Sequence, residues 1–141
     1  LMLAEHGAKV VVNDIGGARD GTGADLGPSD EVVSEIRAMG GEAVANGDDV
    51  SDWEGAQRMV NQAVETFGDL TGIVSNAGIL RDRMLVNMTE AEWDAVIQVH
   101  LKGTFAPARW AAATGASGSG FFCISLISFD CHCSKLVSPD A

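Results

Sequence analysis

Lys9-Val10-Val11-Val12-Asn13-Asp14 is the stretch on which the fold turns. It is β-branched and shows no apolar–polar alternation, the pattern of a strand covered on both faces in a parallel sheet. Just before it, Leu1, Leu3 and Ala4 read as the last turn of a helix, and Gly7 stands where a left-handed cap closes such a turn. A helix running straight into a parallel-type strand implies an earlier strand, so the sequence is expected to begin inside a domain. Working outward, 42–46 and Gly72-Ile73-Val74-Ser75 repeat the strand pattern, and helices are expected between the strands. The first helix, capped by Ser29 or Asp30 behind Pro28, places Val32, Val33, Ile36 and Met39 on one face and stops at Gly40-Gly41. The second, capped by Ser51, carries Ala56, Met59, Val60, Ala63, Val64 and Phe67 at 3.6-residue spacing and ends at Gly68. Thr89-Glu90-Ala91-Glu92 is a capping box for a third helix with Trp93, Val96, Ile97, Leu101 and Phe105, which Pro107 is expected to end or kink.

Strands alternating with helices of this length mean βαβ units, right-handed crossovers and a parallel sheet. The expected fold class is α/β, a Rossmann-like doubly wound parallel sheet that is incomplete at both ends. In such a sheet, ligands bind beyond the carboxyl ends of the strands. Three strand ends are visible, at Asp14, at Asp48-Asp49-Val50 and at Asn76-Ala77-Gly78.

Each strand end carries a possible chemistry. Asp14 can accept hydrogen bonds from adenosine ribose hydroxyls, and its charge would repel a 2′-phosphate, favouring NAD over NADP; nearby Arg19 works against that preference. Alternatively Asp14 only opens the turn. The Asp49 carboxylate and the neighbouring Val50 N–H can meet an adenine edge, or an aspartate there simply caps the next helix. Asn76, Ala77 and Gly78 are small enough for a flat ligand to approach the backbone, and the Asn76 amide can bridge neighbouring strands; an ordinary turn reads the same. Gly17-x-x-x-Gly21-x-Gly23 has the spacing of a phosphate loop, yet no helix follows at 24–28, and Asp14, Asp20 and Asp25 crowd it; it reads as a flexible loop.

Composition limits the function classes. The 141 residues are 46% hydrophobic and carry 9 Lys and Arg against 20 Asp and Glu, a formal net charge of -11. A surface so acidic argues against nucleic acid and anionic lipid. No apolar run approaches the ~20 residues of a membrane span, and the first residues lack the pattern of a secretion signal, so a membrane partner and secretion are not expected. Cys123, Cys131 and Cys133 are neither a disulfide framework nor, with His132, a full zinc ligand set, and no metal is expected.

Four segments together resemble the short-chain dehydrogenase/reductase family: 7–14, Asp49-Val50-Ser51-Asp52, Ser75-Asn76-Ala77-Gly78, and Val99-His100-Leu101-Lys102-Gly103-Thr104-Phe105. Asn13–Gly21 and Asn76–Arg83 are similar to the branch with 3-hydroxyacyl-CoA dehydrogenase domains, found in peroxisomal multifunctional enzymes and bacterial relatives. The resemblance covers about residues 1–110 and implies a partial NAD-binding domain there, with 111–141 a divergent tail. It implies that Asp14 binds ribose, that Asp49 and Val50 bind adenine, and that Asn76, Ala77 and Gly78 border the nicotinamide. It implies NAD as cofactor, a small-molecule substrate such as an acyl-CoA, a possible homo-oligomer, and a cytoplasmic or peroxisomal location. His100 stands where many members carry an Asn that organises a proton-relay water; a helix residue bonded to a backbone carbonyl is the plainer reading.

The departures from the family pattern are large. Its glycine-rich turn would lie before Leu1. Its Tyr-x-x-x-Lys pair is absent from these residues, which hold no Tyr and only Lys9, Lys102 and Lys135. Its catalytic Ser follows the fifth strand, a place open to Ser125 or Ser128 if 121–129 is that strand. The Ser-, Cys- and Phe-rich text after Trp110 suggests a frame change or a degraded copy. The lineage therefore reads as an NAD-dependent oxidoreductase acting on a secondary alcohol, this stretch being inactive or nearly so. A non-catalytic remnant that binds nucleotide weakly or pairs with relatives is the alternative, and an adenosyl-binding methyltransferase-like fold is a third.

Overall fold

A computed structural model describes residues 1–16 and 27–114 and the backbone of 122–125. The order is α1 (Met2–Glu5), β1 (Val10–Asn13), α2 (Gly27–Ala38), β2 (Ala43–Asn46), α3 (Trp53–Phe67), β3 (Gly72–Ser75), a 3-10 turn (Leu85–Asn87), α4 (Glu90–Ile97), a π-helical turn (Gln98–Lys102), α5 (Gly103–Ala113) and β4 (Phe122–Ser125). The βαβ alternation is as the sequence implied. The glycine-rich stretch 17–23, Arg19, Ser128 and the Cys131–Cys133 segment lie outside the described residues.

The strands form two parallel pairs. Val10 to Asn13 of β1 face Ala43 to Asn46 of β2, and Gly72 to Ser75 of β3 face Phe122 to Ser125 of β4. Among the described residues no ladder joins β1 to β3. Helices connect the halves instead: α3 packs on β1 and on α5, and α5 packs on β3. On one face of the β1–β2 pair, Ala4 of α1 meets Val33 and Ile36 of α2 and Ala43, with Val10, Val12, Val32 and Ala45 against them. On the other face, Asn46 donates from Nδ2 to Gln62 Oε1 of α3 at 2.7 Å. Helices on both faces of a parallel sheet define a doubly wound architecture.

Several local expectations change. The strands were read as covered on both faces, yet all of β1 is only half-buried and Val74 of β3 is 48% exposed, because their inner edges meet no strand among the described residues. Helix α2 begins at Gly27, with Pro28 and Ser29 inside its first turn, so neither Ser29 nor Asp30 precedes it as a cap. Proline is tolerated there because first-turn N–H groups have no partner within the helix. Met39 lies past the helix end, 45% exposed, while Gly40 takes the left-handed φ of 84° that turns the chain. The cap of α3 is Asp52, whose carboxylate accepts from Gly55 N–H at 2.7 Å; Ser51 is spent on Asp49, to which it donates from both N–H and Oγ at 2.8 Å.

The third helix breaks where no proline stands. Its register opens into the π-helical turn at 98–102, whereas Pro107 sits buried inside α5. The bond that Pro107 cannot make would have gone to the Gly103 carbonyl, in the first turn of α5, and full burial of the ring offsets its loss. Trp93, Ile97, Leu101 and Phe105 do not enter a core; each is exposed, Leu101 by 65%.

The start of α4 is the capping box foreseen from the sequence. Thr89 Oγ1 accepts from Glu92 N–H at 3.3 Å, and Glu92 Oε2 accepts from Thr89 N–H and O–H, both at 2.9 Å. Arg83 closes on the other oxygen at 2.6 Å. The Thr89 N–H, then its hydroxyl, then the Arg83 charge hold the Glu92 carboxyl below its ordinary value of 4.5. Its folded-state value is depressed, so this stabilisation is present above 4.5 and fades as the pH falls through the depressed value. Accordingly, the urea midpoint of Glu92→Gln will lie below that of the parent chain at pH 6, and the gap will shrink at pH 3. Separately, Ile36→Ala will cost about 2–5 kcal/mol in urea unfolding, while Met39→Ala will stay within about 0.5 kcal/mol.

Candidate functional site

Parallel pairing puts the carboxyl ends of β1 and β2 side by side, and a row of asparagines secures them. Asn13 ends β1 and Asn46 ends β2 at the same register position. Asn13 Nδ2 donates to Asn46 Oδ1 at 2.7 Å and to the Asp48 carbonyl at 2.8 Å. Asn46 is buried, and its Oδ1 also accepts from Asp48 N–H at 3.0 Å. This ties the loop after β2 to the end of β1. The bridging that the sequence suggested for Asn76 is done here by Asn13; Asn76 is exposed and makes no hydrogen bond among the described residues. Two asparagines closing adjacent strands at equal distance from their starts were the available signal for this pair.

Asp14 follows directly, its N–H bonded to the Asn46 carbonyl at 3.1 Å. Its Oδ1 accepts from Gly16 N–H at 2.7 Å, and Gly16 adopts a positive φ of 67° to present that N–H. The turn reading of Asp14 is thus satisfied by one oxygen, and Oδ2 has no partner among the described residues. Asp49 behaves likewise, since Oδ1 takes both bonds from Ser51 and Oδ2 takes none. Asp48 is occupied: Arg58 of α3 donates to its Oδ1 from Nε at 2.9 Å and Nη2 at 2.5 Å, which raises the guanidinium above its ordinary value. Of three carboxylates at this rim, Asp14 and Asp49 keep an oxygen for a ligand.

The third strand end is joined to the second by one helical segment. Gln98 Nε2 donates to the Ser51 carbonyl at 3.3 Å. Gly103 is buried against Val50, whose Cγ2 would lie 2.8 Å from a Cβ at 103. His100 Nε2 meets the Ile79 carbonyl at 2.9 Å, with Ile79 N–H at 3.2 Å from the same nitrogen. Its ring lies on Gly78, where a Cβ would meet Cε1 at 2.6 Å. Ser51, Val50, Gly78 and Ile79 therefore all touch residues 98–103. Sequence reasoning placed His100 here but missed Gln98 and Gly103; a glycine inside an otherwise helical run was the signal that something packs closely on that helix.

Asn76, Ala77 and Gly78 are exposed beyond β3. Ser75, the last residue of β3, has a buried Oγ without a partner and pairs in register with Ser125 of β4. The fifth-strand reading of 121–129 thus coincides with a parallel strand at 122–125, which carries Ser125. Among the described residues there is no group of three metal-ligating side chains, and no helix is long and apolar enough to cross a membrane.

Two carboxylate oxygens without a partner among the described residues, a rim of small residues and an accessible backbone suit the adenosine end of a dinucleotide. No set of amides able to hold its pyrophosphate is present among the described residues. Comparison with known proteins gives the same lineage. The pattern of the family described as short chain dehydrogenase matches residues 1–120. Peroxisomal multifunctional enzyme type 2 of Drosophila melanogaster is 52% identical over 105 residues, covering 74% of this chain and 17% of that protein. Hydroxyacyl-CoA dehydrogenase ChsB1 of Mycobacterium tuberculosis is 47% identical over 117 residues, covering 80% and 34%. The crystal structure of a short chain dehydrogenase from Mycobacterium avium superposes with a TM-score of 0.72 at 57% identity, over 79% of this chain and 39% of that one. The chain thus spans between 17% and 39% of these relatives. With the parallel sheet, the order of its elements and this match in hand, the chain belongs to the short-chain dehydrogenase family.

Proposed function

We propose that the chain is the adenosine-binding part of an NAD-dependent dehydrogenase whose lineage oxidises a secondary alcohol such as a 3-hydroxyacyl-CoA. The observation that carries this reading is a pair of oxygens without a partner among the described residues, Asp14 Oδ2 and Asp49 Oδ2, just beyond two adjoining parallel strands. Short-chain dehydrogenases use NAD(P), and the Asp14 carboxylate selects NAD because it would repel a 2′-phosphate. When bound, the nicotinamide supplies the hydride acceptor. Asp14 would hold the ribose, Asp49 and the Val50 N–H the adenine, and Asn76, Ala77 and Gly78 would border the nicotinamide. Residues 1–110 make up the partial cofactor domain, and 111–141 a divergent tail. The acyl-CoA substrate and the peroxisomal location rest on the relatives' printed names, with a cytoplasmic location as the alternative.

The absence of Tyr supports the second half of the proposal, that these 141 residues do not complete the reaction. General acid–base catalysis contributes about 10²–10⁴-fold, and no phenol is present to supply it. His100 has its Nε2 engaged at the Ile79 backbone, so a relay role would fall to Nδ1, and Ser125 or Ser128 would lack a phenol to orient. A non-catalytic nucleotide binder that pairs with copies of itself is the second reading. The exposed stripe Trp93, Ile97, Leu101 and Phe105 favours it, because the same helical run is acidic at Glu90 and Asp94 and basic at Lys102 and Arg109, so antiparallel copies match in charge.

NADH fluorescence titration will show saturable binding, tighter than for NADPH and weakened about tenfold by Asp14→Ala, as expected for a hydrogen bond to a charged group. NADPH binding more tightly would overturn the cofactor assignment. Robust turnover of a 3-hydroxyacyl-CoA by the 141 residues would overturn the claim of inactivity. In sedimentation velocity, Leu101→Asp will shift the chain toward monomer.

A further inference from the structure

Two glycines lie where the helical segment 98–103 touches the strand ends, and neither is needed for a left-handed backbone. Gly103 is in the right-handed region at φ -66°, and Gly78 is not among the positive-φ glycines. Both make room. At Gly78 the His100 imidazole takes the space of a side chain, with Cε1, Nε2 and Nδ1 at 2.6, 3.2 and 3.4 Å from a Cβ there. At Gly103 the Val50 side chain does so, with Cγ2 at 2.8 Å. The contacts are reciprocal: at one end a helix side chain fills a hollow in the loop, and at the other a loop side chain fills a hollow in the helix.

Polar contacts fasten each end. Gln98 Nε2 reaches the Ser51 carbonyl at 3.3 Å and Ser51 Oγ at 3.4 Å. His100 Nε2 reaches the Ile79 carbonyl at 2.9 Å, and Thr104 Oγ1 donates to the His100 carbonyl at 2.7 Å. The wide i→i+5 turn at Gln98–Lys102 lies between α4 and α5, where such turns often mark functional segments. Through these contacts the segment touches both the loop after β2 and the loop after β3.

We propose that residues 98–103 act as a gauge that sets the separation between the adenine-side loop at 49–51 and the nicotinamide-side loop at 76–79, with Gly103 and Gly78 as its positioning residues. The proposal rests on the cofactor reading above. An added methyl at 103 displaces Val50 and so acts on the adenine side; one at 78 displaces the His100 contact and acts on the nicotinamide side. The two substitutions therefore separate with ligand length, which a general loss of stability would not do.

The test is calorimetric titration of the 141-residue chain with AMP, which needs only the adenine side, and with NADH, which needs both. Gly103→Ala will weaken AMP and NADH about tenfold each, on the scale of overpacking a tight contact. Gly78→Ala will weaken NADH about tenfold and leave AMP within about twofold. Adding Val50→Ala to Gly103→Ala will restore AMP binding. Val50→Ala alone only removes atoms, so it offers a reading without ligand: the Ile79 amide resonance in a proton–nitrogen correlation spectrum will move. Equal losses of AMP and NADH in both glycine variants, failure of the rescue, or an unmoved Ile79 amide overturns the gauge while leaving the cofactor reading intact. Failure of the parent chain to bind either AMP or NADH overturns the cofactor reading, and the gauge with it.

Discussion

The packing of α3 against α5 is the constraint on which the other features rest. β1 and β2 form one parallel pair and β3 and β4 another, and among the described residues no backbone ladder crosses between them. Among the described residues the contacts that join the two pairs are helical: α3 lies on β1 and on α5, and α5 lies on β3. Small residues make this close approach possible. Ala56, Val60 and Ala63 of α3 and Ala106 and Ala111 of α5 are all buried. Trp110 adds a directional bond, donating from its indole nitrogen to the Trp53 carbonyl at 3.0 Å, and Arg109 lies 4.3 Å from the Trp110 ring centroid.

The candidate site inherits this arrangement. On the β1–β2 side it is rigid, because Asn13, Asn46 and Asp48 form a satisfied network at the very ends of the strands. On the β3 side the strand end is exposed, and it is held chiefly through His100. Both halves have a parallel strand pair; the first adds a polar network at its strand ends, the second a helix leaning on a glycine.

Much of the fold was legible, and the reasons are specific. Val10–Val12 read as a strand because β-branched side chains without alternation suit a pleated, covered surface. α3 read correctly because its apolar residues recur at helical spacing, and Thr89 with Glu92 announced the start of α4. Cap positions were less legible. Ser51 and Asp52 are both good caps, and only the competing bonds from Ser51 to Asp49 leave the task to Asp52. The π-helical turn was not legible, since no proline or glycine pair marks it and the obvious breaker, Pro107, fits inside α5. The apolar residues Trp93, Ile97, Leu101 and Phe105 marked a face correctly but not its burial, because periodicity shows which residues share a side and not what that side meets.

By itself the sequence determined the order of strands and helices, the acidic charge, and the residue types at each strand end, because these follow from local spacing and composition. Tertiary structure alone decided which of those residues remain available to a ligand. Asp48 is claimed by Arg58, ten positions on, and His100 is claimed by Ile79, twenty-one positions back. A carboxylate or an imidazole can offer a ligand only the atoms that its own neighbours leave free, and those neighbours are set by the path of the chain in space.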